Sequence, residues 1–82
     1  MLKLYHVEWC PECEVVREKL DALGLSYDHE IVPDVRPFRK SVMAVSGQTY
    51  VPVLVDGETV LTETHDILEY LDKISIQETH QG

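Results

Sequence analysis

Residues 8–15 read EWCPECEV and contain both cysteines of the chain, Cys10 and Cys13. The stretch before them, LKLYHV at 2–7, alternates and is rich in strand formers, which predicts a β-strand. Pro11 suits the first turn of a helix, because its missing N–H needs no partner there. Apolar residues then recur at the spacing of one helix face, at Cys13, Val16, Leu20 and Leu23. The sequence therefore predicts a strand followed by a helix that starts at the cysteine pair.

A second strand and a second helix are predicted further along the chain. Residues 26–32 (SYDHEIV) have the composition of a strand. The second helix is indicated by an apolar stripe that ends before Gly47, at Phe38, Val42 and Val45. On the first helix, the face opposite the apolar stripe carries Glu14, Arg17, Glu18 and Asp21.

The third part of the chain reads as a hairpin followed by a helix. Residues 50–62 (YVPVLVDGETVLT) form two strand-like runs, and Asp56-Gly57 is the favoured dipeptide for a two-residue turn between them. The last helix is predicted to begin near Thr62 to Thr64. Its apolar positions are Ile67, Leu71 and Ile74.

The predicted order is β-α-β-α-β-β-α within one α/β domain at residues 1–74. A right-handed crossover makes the first two strands parallel, and the hairpin adds antiparallel pairing. We therefore expect a four-stranded mixed sheet with helices on both faces. Residues 75–82 (SIQETHQG) are polar, and we expect them to form a flexible tail.

Charge and composition exclude several classes of partner. The chain has 82 residues and a formal net charge of −8, which disfavours nucleic acid and anionic membrane surfaces. No apolar run approaches the roughly 18 residues of a membrane helix. The N-terminal stretch MLKLYHVEW lacks the pattern of a secretory signal. We expect a cytoplasmic protein with no nucleic-acid or membrane partner.

The cysteine pair has a chemical rationale at a helix start. Unpaired backbone N–H groups and the helix dipole favour a thiolate at Cys10. Cys13 lies about one turn further on and belongs to the apolar stripe, so burial leaves Cys10 the more exposed of the two. Cys10 is thus the candidate nucleophile. Cys13 is the candidate resolving thiol, which attacks a mixed disulfide formed on Cys10.

Half of a zinc site is the alternative interpretation of the pair. Structural zinc usually takes four ligands, and the chain has no second C-x-x-C and no closely spaced histidine pair. The histidines are His6, His29, His65 and His80. We expect no metal.

Two longer stretches carry a family resemblance. CPEC at 10–13 and RKSVMAVSGQTYVPVLVDG at 39–57 resemble glutaredoxin, whose pattern is C-P-Y-C with a later S-G-x-T-x-V-P. GETVLTETHDILEYLD at 57–72 resembles the end of the N-terminal domain of glutathione transferases. The nearest overall match is the glutaredoxin branch that carries both features. The resemblance covers residues 2–73 and implies a thioredoxin fold.

The same resemblance implies roles for particular residues. Cys10 attacks and Cys13 resolves. Glutathione lies against the backbone of Val51 and Pro52, which the family joins by a cis peptide bond. The last helix opens with the glutathione-binding pair Glu63 and Thr64, where the family has Glu-Ser, although Thr64 alone also suits a plain helix cap.

This sequence departs from the family pattern at two positions near the cysteines. Glu12 replaces the tyrosine of C-P-Y-C, and Val7 replaces a frequent basic residue. Arg39 or Lys40 is the candidate source of positive charge for the glycine carboxylate of glutathione. The negative charge of Glu12 opposes the thiolate of Cys10. The same charge should also deter anionic glutathione and favour a partner with a basic surface.

The resemblance implies a glutaredoxin-like dithiol–disulfide oxidoreductase that reduces protein disulfides or glutathione mixed disulfides. Electrons come from glutathione or from a flavoprotein resembling thioredoxin reductase, and no bound cofactor is needed. The alternative from another class is a non-catalytic binding module for glutathione, a partner protein or a metal. A dimer bridging an iron–sulfur cluster through Cys10 is a third interpretation, which Pro11 disfavours by family analogy.

Overall fold

The elements of the computed structural model follow the predicted order β-α-β-α-β-β-α. The structure describes the backbone of residues 2–81 and the side chains of residues 2–75. The strands are β1 (Leu2–His6), β2 (Tyr27–Ile31), β3 (Val53–Asp56) and β4 (Thr59–Leu61). The α-helices are α1 (Pro11–Leu23), α2 (Lys40–Ser46) and α3 (Thr64–Gln81). A short 3-10 helix at Arg36–Phe38 precedes α2.

The strands form one mixed sheet in the order β2-β1-β3-β4. β1 is parallel to β2 and antiparallel to β3, which pairs with β4 as a hairpin. Leu4 in β1 lies opposite His29 on one side and Leu54 on the other. The expected four-stranded mixed sheet is confirmed.

The two faces of the sheet bury separate apolar clusters. One cluster joins Leu4 and Leu54 of the sheet to Val16 and Leu20 of α1 and to α3. The other cluster joins strand residues of the opposite face to Cys13 and to α2, and consists of Tyr5, Val7, Cys13, Val32, Val42 and Val53. Because neighbouring strand residues point to opposite faces, both layers of helices receive apolar contacts.

Helix α1 begins at the cysteine pair, as the sequence predicts. Cys10 is the N-cap residue with extended backbone, and Pro11 is the first helical residue. Gly24 ends the helix with φ of 68°, a left-handed conformation that glycine adopts without a Cβ penalty. The buried side chains of the helix are Cys13, Val16 and Leu20. The cysteine pair therefore lies just after β1, at the start of a helix that buries one face.

The hairpin turn lies one residue later than predicted. Asp56 pairs with Thr59, so the two turn residues are Gly57 and Glu58. Gly57 has φ of 61° and Glu58 does not have positive φ. Glycine alone at positive φ in the first turn position is typical of a type II′ turn, whereas Asp-Gly would need positive φ at both positions. The prediction of Asp56-Gly57 as the turn is wrong.

The second predicted helix is shorter on its N-terminal side than its apolar stripe suggested. Phe38 ends the 3-10 helix and leaves 64% of its surface exposed, whereas Val42 is fully buried. Pro37 lacks the N–H that a regular helix needs beyond its first turn, so the α-helical pattern starts only at Lys40.

Helix α3 begins where predicted but extends beyond residue 74, reaching Gln81. No glycine or proline follows Ile74 until Gly82, so the chain holds no stop signal at the predicted boundary. The backbone of residues 75–81 is thus helical rather than an extension without structure, and its mobility stays a prediction. Within the described chain, no helix combines the length and apolar character needed to cross a membrane.

Candidate active site

The two cysteines are free thiols in different environments. Cys10 is half-buried, whereas Cys13 is fully buried against the apolar cluster beneath α2. The carbonyl of Cys10 accepts the N–H of Glu14 at 3.0 Å, which is the first helical hydrogen bond of α1. The more reachable thiol therefore stands at the positive end of the helix, with the second thiol behind it.

Burial raises the pKa of the Cys13 thiol to about 12. A hydrogen bond to the sulfur of Cys10 and the charge of that sulfur act in the same direction, whereas the backbone of Val7 and the charge of Arg17 act against it. Cys13 is consequently a protonated thiol at neutral pH and contacts the sulfur of Cys10. An arrangement of this kind allows Cys10 to react first and Cys13 to follow.

A cleft of about 300 Å³ lies beside the cysteine motif. It brings together four residues that the sequence selected from three separate segments, Glu12, Val51, Glu63 and Thr64. Three further residues line it that the sequence did not select, namely Gln48, Tyr50 and Thr62. Two of these directly precede selected residues, so their positions in the chain were the available signal.

Pro52 follows the cleft residue Val51 but does not itself line the cleft. Its side chain is fully buried, and the peptide bond between Val51 and Pro52 is cis, as the family resemblance implied. Beside it, the side chain of Gln48 donates to the carbonyl of Tyr50 at 3.1 Å and accepts the N–H of Tyr50. The side chain of Gln48 therefore holds the backbone that leads into Val51.

The N-terminus of α3 faces the cleft. Glu63 is the residue before the helix, and its carbonyl accepts the N–H of Ile67 at 3.0 Å. Thr64 is the first helical residue. Unpaired N–H groups at such a position favour a negative group, and the Glu63 carboxylate beside them favours a positive one. The corner therefore suits a ligand that carries both charges close together.

The prediction that Arg39 supplies a positive charge to the site is wrong. Only 4% of the Arg39 surface is exposed, and its guanidinium donates to the carbonyls of Pro33, Asp34 and Thr49 at 2.7 to 3.0 Å. Arg39 therefore joins the loop after β2 to the loop after α2 and does not line the cleft. Lys40 is exposed but does not line the cleft.

A different cation contacts the wall of the cleft. The guanidinium of Arg36 lies 4.9 Å from the ring centre of Tyr50, within the range of a cation–π interaction. No motif or spacing points to Arg36, because it lies in a segment with several proline and charged residues. Within the described residues, no group of three or more His, Cys, Asp or Glu side chains could hold a metal ion.

A family model for the N-terminal domain of glutathione S-transferase matches residues 4–78. The match confirms the expected thioredoxin-like fold and the glutathione-transferase part of the resemblance, while the glutaredoxin assignment itself stays a prediction. A comparison with curated proteins gave no significant match.

Several solved structures resemble the chain. The trimeric glutathione transferase TDR1 of Leishmania has a TM-score of 0.76 and 30% identity, covering 87% of this chain and 16% of that one. A glutathione transferase homologue from Drosophila mojavensis with bound glutathione has a TM-score of 0.81 and 29% identity, covering 90% and 35%. Human glutathione S-transferase T1-1 in its apo form has a TM-score of 0.82 and 26% identity, covering 92% and 32%. The chain thus spans 16% to 35% of the length of these proteins.

Proposed function

The chain belongs to the family of glutathione S-transferase N-terminal domains, and we propose that it acts as a glutathione-dependent dithiol–disulfide oxidoreductase. The observation that carries this proposal is the environment of the cysteine pair. Cys10 is reachable at the start of α1, and Cys13 is buried within hydrogen-bond contact of it. A transferase that only activates glutathione has no need of a second thiol at this position.

The first chemical step is attack by the Cys10 thiolate on a disulfide. The Cys10–sulfur bond forms while the disulfide breaks, and the departing thiolate takes up a proton from solvent. With a protein disulfide, Cys13 then loses its proton and attacks the sulfur of Cys10. The products are a Cys10–Cys13 disulfide and a fully reduced substrate, so two electrons pass from the dithiol to the substrate.

With a glutathione mixed disulfide the second step has an alternative route. Free glutathione can attack the glutathione bound to Cys10, which releases glutathione disulfide and restores the Cys10 thiolate. This route does not use Cys13. The high pKa of Cys13, about 12, favours it, because little Cys13 thiolate is present at neutral pH.

Glutathione is proposed to lie in the cleft beside Glu12. Its γ-glutamyl end carries an ammonium and a carboxylate, which complement the Glu63 carboxylate and the helix N-terminus at Thr64. Its cysteinyl part would pair with the backbone of Val51 ahead of Pro52. The glycine carboxylate would approach the side of the cleft where Arg36 contacts Tyr50.

The proposed partners are proteins that carry a disulfide or a glutathione adduct. The electron donor is glutathione or a flavoprotein resembling thioredoxin reductase. A reducing cytoplasm fits this role, because the free pair must be regenerated after each turnover. No bound cofactor enters the proposed chemistry.

A non-catalytic binding module is the second candidate function. It is favoured by the protonated state of Cys13, which slows any step that needs its thiolate. On this alternative the cleft holds glutathione or a partner protein, and Cys10 forms at most a stable adduct.

A coupled assay separates the two candidates. The substrate is a mixed disulfide of glutathione with a peptide, and the donor is either glutathione with glutathione reductase or a thioredoxin-reductase system. We expect multiple turnovers with at least one donor and none after Cys10→Ser. Retention on immobilised glutathione without turnover by either donor would contradict the enzyme and leave the binding module.

A further inference from the structure

Arg17 lies on the polar face of α1, and its guanidinium bonds to the backbone that precedes the helix. Its Nη1 donates to the carbonyl of Val7 at 3.1 Å, and its Nη2 donates to the carbonyl of Glu8 at 3.1 Å. Both carbonyls belong to the short segment between β1 and Cys10. One side chain therefore fixes the backbone that enters the cysteine motif.

The same guanidinium begins a hydrogen-bond chain across the sheet. Nη1 of Arg17 lies 2.9 Å from Nδ1 of the buried His6, and Nε2 of His6 lies 2.9 Å from Nδ1 of His29. A guanidinium only donates, so Nδ1 of His6 accepts and its proton is on Nε2. That proton is donated to His29. The chain runs in one direction, from Arg17 through His6 to His29.

This series of hydrogen bonds requires a neutral His6 and no proton on Nδ1 of His29. A second proton on His6 would face the N–H of Arg17, and a proton on Nδ1 of His29 would face the proton of His6. The ionisable groups around His6 are Arg17 from α1, His29 from β2 and Glu8 from the following loop. Burial first, then the charges of Arg17 and His29, lower the pKa of His6, and Glu8 opposes them.

The segment that Arg17 fixes also acts on Cys13. The backbone of Val7 makes a hydrogen bond to Cys13 that favours its thiolate, and the charge of Arg17 has the same effect. Both influences oppose the burial that keeps Cys13 protonated. Loss of Arg17 would remove its charge and release the Val7 carbonyl from its anchor.

We propose that Arg17 is a positioning residue for the resolving thiol, and that its hold on the Val7–Glu8 backbone depends on a neutral His6, whose Nδ1 accepts from Arg17. The proposal rests on the dithiol function proposed above. It assigns to Arg17 a part in the second chemical step, attack by Cys13 on the disulfide of Cys10, rather than in the first.

The test uses 4,4′-dithiodipyridine as the disulfide and the reduced protein in stopped flow. Attack by Cys10 releases one pyridinethione and leaves a mixed disulfide. Attack by Cys13 then releases the second pyridinethione and forms the Cys10–Cys13 disulfide. The two phases report the two thiols separately, and both electrons end on the released thiones.

Arg17→Met keeps an apolar stem of similar length and removes the guanidinium. We expect its second phase to slow about threefold to tenfold, because loss of the Arg17 charge raises the pKa of Cys13. Each unit of such a rise cuts the thiolate about tenfold, and the higher nucleophilicity of the remaining thiolate offsets only part of this loss. The first phase should change less than about twofold. Arg17→Lys should recover only part of the loss, because an ammonium lacks the fork that reaches two carbonyls.

The matched control is Lys19→Met, which removes a positive charge from the same helix. Lys19 pairs with Asp72 at 2.7 Å on α3 and has no bond to the Val7–Glu8 segment. We expect both of its phases to match those of the unmodified protein. Melting curves of all variants identify any general loss of the fold, which would expose the Cys13 thiol and speed its phase rather than slow it.

The histidines add a second readout. The second-phase advantage of the unmodified protein over Arg17→Met should shrink as pH falls through the lowered pKa of His6, where that imidazole gains a second proton. An advantage independent of pH would contradict the part assigned to His6. Equal second phases in the two proteins would overturn the role of Arg17 while leaving the dithiol function standing. A complete lack of a second phase in the unmodified protein would contradict the dithiol function, and this inference with it.

Discussion

Glu12, between the two cysteines, and Glu63, before the last helix, line the same cleft from opposite ends of the sequence. Their charges are alike, but their surroundings differ. Glu12 stands beside the thiol that must become an anion, whereas Glu63 stands beside a helix N-terminus that attracts an anion. The two carboxylates should therefore have opposite effects on a zwitterionic ligand.

Glu12→Gln should make Cys10 react faster with a glutathione mixed disulfide. Removing the negative charge relieves repulsion of both the Cys10 thiolate and the carboxylates of glutathione. The reaction rate should therefore rise about twofold to fivefold at low salt. The measurement is the second-order rate at two salt concentrations, where the gain should shrink at the higher one. A rate that is unchanged at low salt would show that Glu12 is only a surface charge.

Glu63→Gln should act in the other direction. Loss of the partner for the γ-glutamyl ammonium should weaken glutathione binding about fivefold, the size expected for one partly exposed charge-assisted hydrogen bond. Isothermal titration of the Cys10→Ser protein with glutathione measures this without turnover.

Glu58→Gln is the control for both variants. Glu58 is an exposed residue of the hairpin turn and does not line the cleft, so its removal changes the net charge by the same amount. If Glu58→Gln reproduced either effect, the cause would be net charge rather than the position of the carboxylate.

Tyr70→Phe should destabilise the fold without touching the cleft. Tyr70 of α3 donates its hydroxyl to Oδ2 of Asp56 at 2.5 Å, which ties the last helix to the end of β3. A net loss of about 1 kcal/mol corresponds to a fall in Tm of about 4 to 8 °C for a domain of this size. Thermal unfolding at neutral pH measures it.

The same pair gives the variant a pH signature. The hydrogen bond from Tyr70 lowers the pKa of Asp56 below 3.8, so this stabilisation is complete above pH 3.8 and is lost as pH falls through the lower value. The bond to Asp56 also raises the pKa of Tyr70 above its ordinary value of 10. This stabilisation is therefore complete below pH 10 and is lost as pH rises through the raised pKa. Tyr70→Phe should flatten the stability curve at both ends. Equal curves for both proteins would mean that the bond contributes nothing.

The fold was predictable because most of its signals are local. The spacing of Cys13, Val16 and Leu20 identifies α1, and all three are buried. The turn was misplaced because Asp56-Gly57 is locally favourable, whereas Asp56 remains in the ladder opposite Thr59 and bonds to Tyr70. Neither partner is visible from the turn sequence alone.

The site was predictable only in part. Val51, Glu63 and Thr64 were selected through family resemblance, and the cleft that joins them to Glu12 depends on tertiary structure. Helical spacing places Arg17 on the polar face of α1, opposite the buried stripe, and does not indicate its partners. Its contacts lie with two backbone carbonyls and a buried histidine, which no spacing rule can indicate.

Mass spectrometry of trapped intermediates reports the order in which Cys10 and Cys13 react. The reduced protein, Cys10→Ser and Cys13→Ser are each treated with a glutathione mixed disulfide, quenched in acid and alkylated. We expect a Cys10–Cys13 disulfide or a Cys10 glutathione adduct in the unmodified protein and a single adduct on Cys10 in Cys13→Ser. We expect no adduct in Cys10→Ser, where the remaining thiol is buried and protonated. An adduct on Cys13 of Cys10→Ser, with Cys13→Ser unreactive, would contradict the assigned order of attack and the dithiol mechanism with it.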